Sequence, residues 1–338
     1  MSSPADATGT ERTRRSLGLT YPTPRSLGHG GSAKPVRWGI VGCGWVARDH
    51  LLPGLRATPT ARLVGACDRD VVAAARLATG HDDVLATADL DALLSRPGLD
   101  AVYVATPNSA HLPVVARVAA RGIPVLCEKP LAADVDDATE IVAAGELGTV
   151  TAVRIVYACW LPPDWSPDGA PNDNWRVDPA RAGGGALVDL APHGIDLVGA
   201  LLGGDDLTEL QVLLQRRVHD YPVDDGAVIA GRTAGEALFS AHVAFNTPDA
   251  LPRRRLEVVG TRAQLVAENT MGQTAGGRLT RYDAVGTAVD VPFDTATSPF
   301  AAQLAAFSAA VAGTADWPWP LERDLRLHRL LHSAIERS

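Results

Sequence analysis

The sequence predicts an α/β fold in which a doubly wound parallel sheet is followed by an α+β domain with an open, mainly antiparallel sheet. An apolar run, Val36–Val41, enters a glycine-rich turn, and strand-like and helix-like runs then alternate as far as Ala144. Beyond Thr149, strand-like runs separated by turn residues predominate, which is typical of antiparallel sheets. We therefore expect a disordered tail (1–33), a first domain (34–144), and a second domain with C-terminal helices (145–338).

The turn after the first strand has the spacing G-x-G-x-x-A. Gly42 permits a tight turn, Gly44 lets the backbone approach a pyrophosphate, and the small Ala47 lets helix and strand pack closely. The helix that follows directs unpaired N–H groups toward the phosphates. The alternative is an ordinary glycine-rich βα turn without a ligand. The residues predicted to contact a dinucleotide here are Gly42, Gly44, Trp45, Val46 and Ala47.

An acidic residue closes the second apolar run, Ala61–Cys67, and makes this a Rossmann-type pattern. Asp68 can accept hydrogen bonds from a ribose diol, and its charge would repel a 2′-phosphate, so the cofactor expected is NAD. Arg69 beside it could serve such a phosphate, which leaves NADP open.

Two further segments lie at predicted strand ends, after Asp100–Ala105 and after Ile123–Cys127. In a doubly wound sheet, ligands bind beyond the carboxyl ends of the strands, so both segments should face the same crevice. Pro130 biases Lys129 away from helical geometry, which lets the ammonium approach a substrate oxygen. The alternative is a solvated lysine paired to Glu128. The segments contain Thr106, Pro107, Asn108, Glu128, Lys129 and Pro130.

Composition excludes several classes of protein. The chain of 338 residues has a net charge of −8, which offers no general attraction to nucleic acid or anionic membranes. No apolar run approaches the roughly 18 residues of a membrane span. The four cysteines show no metal-ligand spacing, so we expect no metal and reduced thiols in a cytoplasmic protein.

The second domain offers a proton-transfer pair. Three glycines lead into the helical run Ala186–Leu202, in which Asp189 and His193 are four residues apart and share a face. An imidazole beside a carboxylate suits proton transfer to an alcohol or ketone oxygen. Alternatively, the histidine packs within the helix and the aspartate is its N-terminal acid.

Taken in order, four motifs resemble those of the Gfo/Idh/MocA oxidoreductases, which include glucose-fructose oxidoreductase and inositol dehydrogenase. The motifs are the glycine turn, Ala105–Asn108 with His111, Glu128–Pro130, and Gly184-Gly185 followed by Asp189, His193 and Asp196.

The resemblance implies roles for particular residues. Lys129, Asp189 and His193 match the catalytic lysine, aspartate and histidine. The residues expected to contact the cofactor from the strand ends are Thr106, Pro107, Asn108, His111 and Glu128. His111 and Asp196 are also candidates for supporting the catalytic residues, with a surface or capping role as the alternative for each. The Leu161–Ala182 loop matches the region that lines the substrate pocket, with Asn174, Trp175 and Arg176 as the expected contacts, together with Lys129 and His193. The substrate expected is a sugar, sugar derivative or cyclitol, and the assembly a homodimer or homotetramer.

The sequence departs from this family after Glu128-Lys129-Pro130. There is room for one helix, Asp134–Ala144, where relatives add a further strand and helix of roughly 30 to 40 residues. The first sheet would then lack its last strand. We expect an NAD(P)-dependent dehydrogenase or reductase acting on CH–OH groups. The alternatives are a dinucleotide-binding sensor without turnover and an inactive deleted homologue.

Overall fold

The computed structural model describes residues 34–80, 83–128, 145–166 and 174–338. The predicted tail, the predicted helix Asp134–Ala144, and Lys129 with Pro130 lie outside the described residues.

The first domain is built on a five-stranded parallel sheet in the order β3-β2-β1-β4-β5. Its central strands are continuous apolar runs because helices cover both faces. Trp38 and Ile40 on β1 are fully buried. The short β3 was missed by the sequence prediction. The strands are β1 (Val36–Val41), β2 (Ala61–Cys67), β3 (Leu85–Thr87), β4 (Ala101–Val104) and β5 (Val125–Cys127).

Local capping fixes the helices of this domain. The Asp70 carboxylate accepts the N–H of Val72 at the start of α2, and the Asp89 carboxylate accepts the N–H of Asp91 at the start of α3. After the glycine turn, a π-helical turn runs directly into α1, and such turns are frequent at functional sites. The elements are the π-helical turn (Ala47–Leu51), α1 (Leu52–Ala57), α2 (Val71–Ala78), α3 (Leu90–Leu94) and α4 (Asn108–Ala120).

The second domain contains an eight-stranded sheet in the order β13-β12-β11-β10-β6-β9-β8-β7, which is antiparallel except for the β6–β9 pair. The predicted strands are present within a few residues. The strands β12 and β13, at one end of this sheet, were missed. The strands are β6 (Val150–Ala158), β7 (Leu207–Gln215), β8 (Gly226–Thr233), β9 (Leu238–Ala244), β10 (Arg254–Gly260), β11 (Ala263–Glu268), β12 (Arg278–Asp283) and β13 (Ala288–Val291).

One face of the second sheet is covered by α6, whose apolar residues join the largest hydrophobic core. The last helix, α8, completes this core through Leu327 and Leu331. The helices are α5 (Pro179–Ala182), α6 (Ala186–Leu201), α7 (Pro299–Val311) and α8 (Leu321–Ile335), with a 3₁₀ turn over Trp175–Val177 before α5.

The helix α7 packs against the first sheet, although the sequence boundaries assigned it to the second domain. Leu304 is fully buried in the first core, and the indole N–H of Trp38 donates to the hydroxyl of Ser308 at 3.0 Å. The C-terminal part of the chain therefore contributes to the hydrophobic core of the first domain.

At the other edge of the first sheet, β4 is the only strand that pairs with β5 among the described residues. Residues 129–144 lie outside them, so the predicted loss of the last strand stays a prediction. No helix in the described segments combines the length and apolarity that a bilayer span requires.

Candidate active site

A cleft of about 1360 Å³ lies between the carboxyl ends of the first sheet and the inner face of the second. It brings together residues that the sequence analysis selected from separate parts of the chain. The predicted site residues that line it are Gly42, Gly44, Trp45, Val46, Asp68, Arg69, Thr106, Pro107, Asn108, His111, Glu128, Trp175, Arg176, Asp189 and His193.

The two glycines of the turn have different surroundings. Gly42 has φ +91°, and a Cβ there would lie 2.6 Å from the Ala105 carbonyl group. A Cβ at Gly44, by contrast, would meet no atom within 4 Å. Gly42 thus lets two strand ends meet, and Gly44 leaves open space on the cleft side. Ala47 is fully buried and does not line the cleft, so its role is packing.

Asp68 is held in place by backbone groups. Its carboxylate accepts the N–H of Cys43 at 2.7 Å and the N–H of Asp70 at 2.9 Å. A carboxylate offers about four lone-pair positions, so capacity remains for the two hydroxyls of a ribose. The open space at Gly44 and the fixed carboxylate of Asp68, both on the cleft wall, fit a dinucleotide.

The segments that follow β4 and β5 are fixed by hydrogen bonds. Nε2 of His111 lies 2.7 Å from the Thr106 carbonyl oxygen, and the Asn108 amide donates to the Ala182 carbonyl at 3.1 Å, linking the two domains. Glu128 accepts the Tyr103 hydroxyl at 2.9 Å. Burial, reinforced by the Glu128 charge, raises the pKa of Tyr103 well above its usual value. This keeps Tyr103 a neutral donor that fixes Glu128.

The helix α6, which carries Asp189 and His193, is anchored at its start by Asp224. The Asp224 carboxylate accepts the N–H of Gly185 at 2.9 Å and that of Leu187 at 2.7 Å. A Cβ on Gly185 would lie 2.0 Å from the Asp224 carbonyl oxygen, so only glycine permits this approach. Sequence reasoning missed Asp224, because no local pattern connects it to a helix almost forty residues earlier.

Three tryptophans surround Arg176 beside Asp189. The guanidinium carbon Cζ lies 4.6 Å from the ring centroid of Trp175, 5.4 Å from that of Trp165 and 6.0 Å from that of Trp45. Its Nε is 4.0 Å from the Asp189 carboxylate. Aromatic faces next to a paired guanidinium and carboxylate can hold both the C–H face and the hydroxyls of a polyol.

The imidazole of His193 stacks on Tyr157, with the ring centroids 4.9 Å apart. The opposite strand places the Arg254 guanidinium 5.3 Å from the centroid of the same tyrosine ring. Both residues line the cleft and were missed by the sequence analysis. The only available signal was strand alternation in Thr149–Trp160, which does not reveal which residue lies opposite.

Two predicted residues lie elsewhere. Asn174 is buried, donates its amide to the Pro162 carbonyl at 3.1 Å, and does not line the cleft. Asp196 binds Arg323 in a buried network with Asp206, away from the cleft wall. The positions of these two residues favour structural roles. The predicted catalytic Lys129 lies outside the described residues.

Family models match both halves of the chain in the same order as the two sheets. The model of an oxidoreductase family with an NAD-binding Rossmann fold matches residues 36–153, and the GFO/IDH/MocA C-terminal domain matches residues 135–266. The chain belongs to the GFO/IDH/MocA oxidoreductase family. Its cofactor is accordingly a nicotinamide dinucleotide.

Individual members of this family are similar to the chain over most of their length. The chain is 28% identical to the 1,5-anhydro-D-fructose reductase of Ensifer adhaerens, over 82% of this chain and 88% of the relative. Two solved structures share its fold at 20% identity and 90% coverage of this chain. One is an aldose-aldose oxidoreductase from Caulobacter crescentus complexed with glycerol (TM-score 0.75, 97% of that chain). The other is a levoglucosan dehydrogenase complexed with NADH and L-sorbose (TM-score 0.74, 98% of that chain).

Proposed function

We propose that this family member transfers a hydride reversibly between a nicotinamide cofactor and a secondary alcohol or ketone carbon of a sugar, sugar derivative or cyclitol. The observation that carries the proposal is the single cleft joining the Gly44 and Asp68 wall to the Asp189 and His193 wall. The named activities of the relatives, an anhydrosugar reductase and a levoglucosan dehydrogenase, support the substrate class.

In this proposal His193 exchanges a proton with the substrate oxygen. Stacking on Tyr157 fixes the plane of the imidazole, and the capped helix α6 fixes its position. Asp189, at the same helix end and 4.0 Å from Arg176, orients the substrate hydroxyls. Lys129, taken from the sequence motif alone, would stabilise the developing alkoxide. When bound, the nicotinamide ring supplies the hydride chemistry.

NAD is the proposed cofactor in preference to NADP. The support is Asp68, whose carboxylate lines the cleft and would repel a 2′-phosphate. Arg69 lines the cleft as well, so the preference depends on which side chain meets the ribose. We also propose a cytoplasmic location, supported by the absence of a disulfide among the four cysteines, all of which are described.

A homodimer or homotetramer is proposed through the uncovered face of the second sheet. Along β8 and β9, Val228 is 49% exposed and Leu238 60% exposed, and α6 covers only the opposite face. These two apolar residues lie beside the polar side chains of His242 and Arg232, and the resemblance to the family places self-association on such an open sheet face.

The experiment that tests the function replaces His193 and measures binding and turnover separately. We expect His193→Asn to lower turnover on a panel of aldoses and inositols by about 10²–10⁴-fold, the usual contribution of a positioned proton donor. NADH should still raise its melting temperature, and by more than NADPH does. The matched control is His328→Asn, an exposed histidine on α8.

The outcomes separate the alternatives. Undiminished turnover in His193→Asn removes that residue from the mechanism, and tighter binding of NADPH overturns the assignment made from Asp68. An NADH-dependent rise in melting temperature without turnover of any polyol identifies a dinucleotide sensor. A chain that shows neither a cooperative transition nor a cofactor effect is an inactive deleted homologue.

A further inference from the structure

We propose that the substrate end of the cleft is built for an anionic sugar derivative, a carboxylate-bearing sugar, which Arg254 binds through its guanidinium. This inference rests on the proposed function, because it names the substrate class of the same site. Three observations carry it: the charge pairing in the cleft, the position of Arg254 across from Tyr157, and the conformation of the loop beside it.

The carboxylates lining the cleft already have partners. Asp189 lies beside Arg176, Asp249 pairs with Arg253, and Glu128 accepts the Tyr103 hydroxyl. Arg254, by contrast, has neither a carboxylate partner nor a side-chain hydrogen bond among the residues that the structure describes. Its Nε is buried and lacks a hydrogen-bond partner there. A guanidinium in a partly buried site without an anion is poised for a ligand that supplies one.

Arg254 lies on the wall opposite the cofactor turn. It begins β10 of the second sheet and is directly across from Tyr157 of β6, whose ring stacks on His193 of α6. A single tyrosine ring therefore separates the proposed proton-transfer group from the guanidinium. A sugar whose reacting carbon lies at His193 would present a substituent further along the ring to Arg254.

The adjoining loop is shaped around this side chain. A Cβ on Gly272 would lie 2.5 Å from an Nη atom of Arg254, so a side chain at residue 272 would displace the guanidinium from its present position. Met271, next to it on the cleft wall, has φ +58°, a conformation unfavourable for a long side chain. Such strain is typical of ligand-binding positions.

The closing experiment compares ligands that differ only in charge. D-Glucuronate and D-galacturonate are each paired with the uncharged carboxamide of the same sugar, and binding to the protein with NAD⁺ is measured by calorimetry. We expect the carboxylate to bind at least about tenfold more tightly than its carboxamide, as a charge-assisted contact requires. Arg254→Gln should abolish this ratio, and Arg254→Lys should retain part of it.

The matched control is Arg255→Gln, the next residue on β10, which points to the other face and pairs with Glu257. It should keep the full ratio. The inference is overturned if neither hexuronate is preferred over its carboxamide, or if Arg254→Gln weakens NADH binding, which would make Arg254 a cofactor contact. Should Arg254→Gln fail to fold, the wild-type ratio and Arg254→Lys still decide.

Failure of this inference is distinguishable from failure of the proposed function. Turnover of uncharged aldoses or inositols without any preference for hexuronates contradicts the role of Arg254 but is consistent with the proposed dehydrogenase activity. If the wild-type protein does not bind NADH, the proposed dehydrogenase activity itself is contradicted.

Discussion

Gly42 and Gly44 belong to one motif but are constrained by different neighbours. Gly42 combines a left-handed backbone with an approach of 2.6 Å between its would-be Cβ and Ala105. A Cβ on Gly44 would contact nothing within 4 Å, so only a bound ligand would meet it. The fold therefore requires the first glycine, and we propose that the cofactor requires the second.

We predict that alanine substitutions separate these two roles. Gly42→Ala should destabilise the protein by more than about 1 kcal/mol, because alanine resists positive φ and the backbone must shift. Gly44→Ala should unfold at nearly the wild-type temperature but bind NADH more weakly. Thermal unfolding and NADH titration of both variants provide the check. Equal NADH affinity in Gly44→Ala and wild type would contradict the placement of the pyrophosphate.

At the scale of elements, the adjacent residues Asp224 and Asp225 join the second sheet to the site. Asp224 caps α6, while Asp225 accepts the N–H groups of residues 217–219 in the β7–β8 connection. Burial raises the pKa of Asp224, and its hydrogen bonds from Leu187 and Gly185 only partly offset this. Burial also opposes ionisation of Asp225, but the backbone donors outweigh it and lower its pKa.

These opposite shifts predict opposite pH dependences. Stability from ionised Asp225 is complete above the unfolded pKa of about 3.9 and is lost as the pH falls through the lower folded pKa. Asp225→Asn should therefore cost about 2 kcal/mol at pH 7 and less in acid. The raised pKa of Asp224 means that wild-type stability gains from protonation as the pH falls, so the cost of Asp224→Asn should grow in acid.

Urea unfolding of both variants and wild type between pH 7 and pH 3 measures this difference. If the costs of the two asparagine substitutions changed with pH in the same direction, the assignment would be contradicted. That assignment is that the folded state favours the ionised form of Asp225 and disfavours the ionised form of Asp224.

At the scale of the whole molecule, the two domains are connected more than once. The chain crosses from the first sheet to the second before β6 and returns through α7, which packs on α1 and on the first core. The Asn108 amide adds a direct link between the domains beside the cleft. The cleft walls are thus held by both domains, while no helix among the described residues covers the outer face of the second sheet.

We predict that this outer face mediates self-association. Leu238→Glu should convert the oligomer to smaller species, because it would bury a further carboxylate beside Arg232, which already pairs with Glu209 and Glu236. Leu112→Glu, at a similarly exposed leucine on α4, is the matched control and should leave the assembly unchanged. Size-exclusion chromatography with light scattering gives the masses. A monomeric wild-type protein would contradict the proposed interface.

Much of the architecture follows from sequence because its signals are local. The glycine turn, the strand-end motifs and the alternation along β6 each depend on residues that are neighbours in the chain. The missed strands carry little hydrophobic periodicity, because β3 and β13 have only three and four residues and β12 is largely polar.

The sequence by itself determined the parallel and antiparallel domains, the cofactor motif, and the placement of Asp189 and His193 on one helix face, because short-range spacing encodes all three. Only the tertiary structure decided that Asp224 anchors that helix, that Tyr157 stacks on His193, and that Arg254 lies one ring away. These contacts join residues far apart in the chain, and their register is set when strands pair and cores pack, which no local pattern specifies.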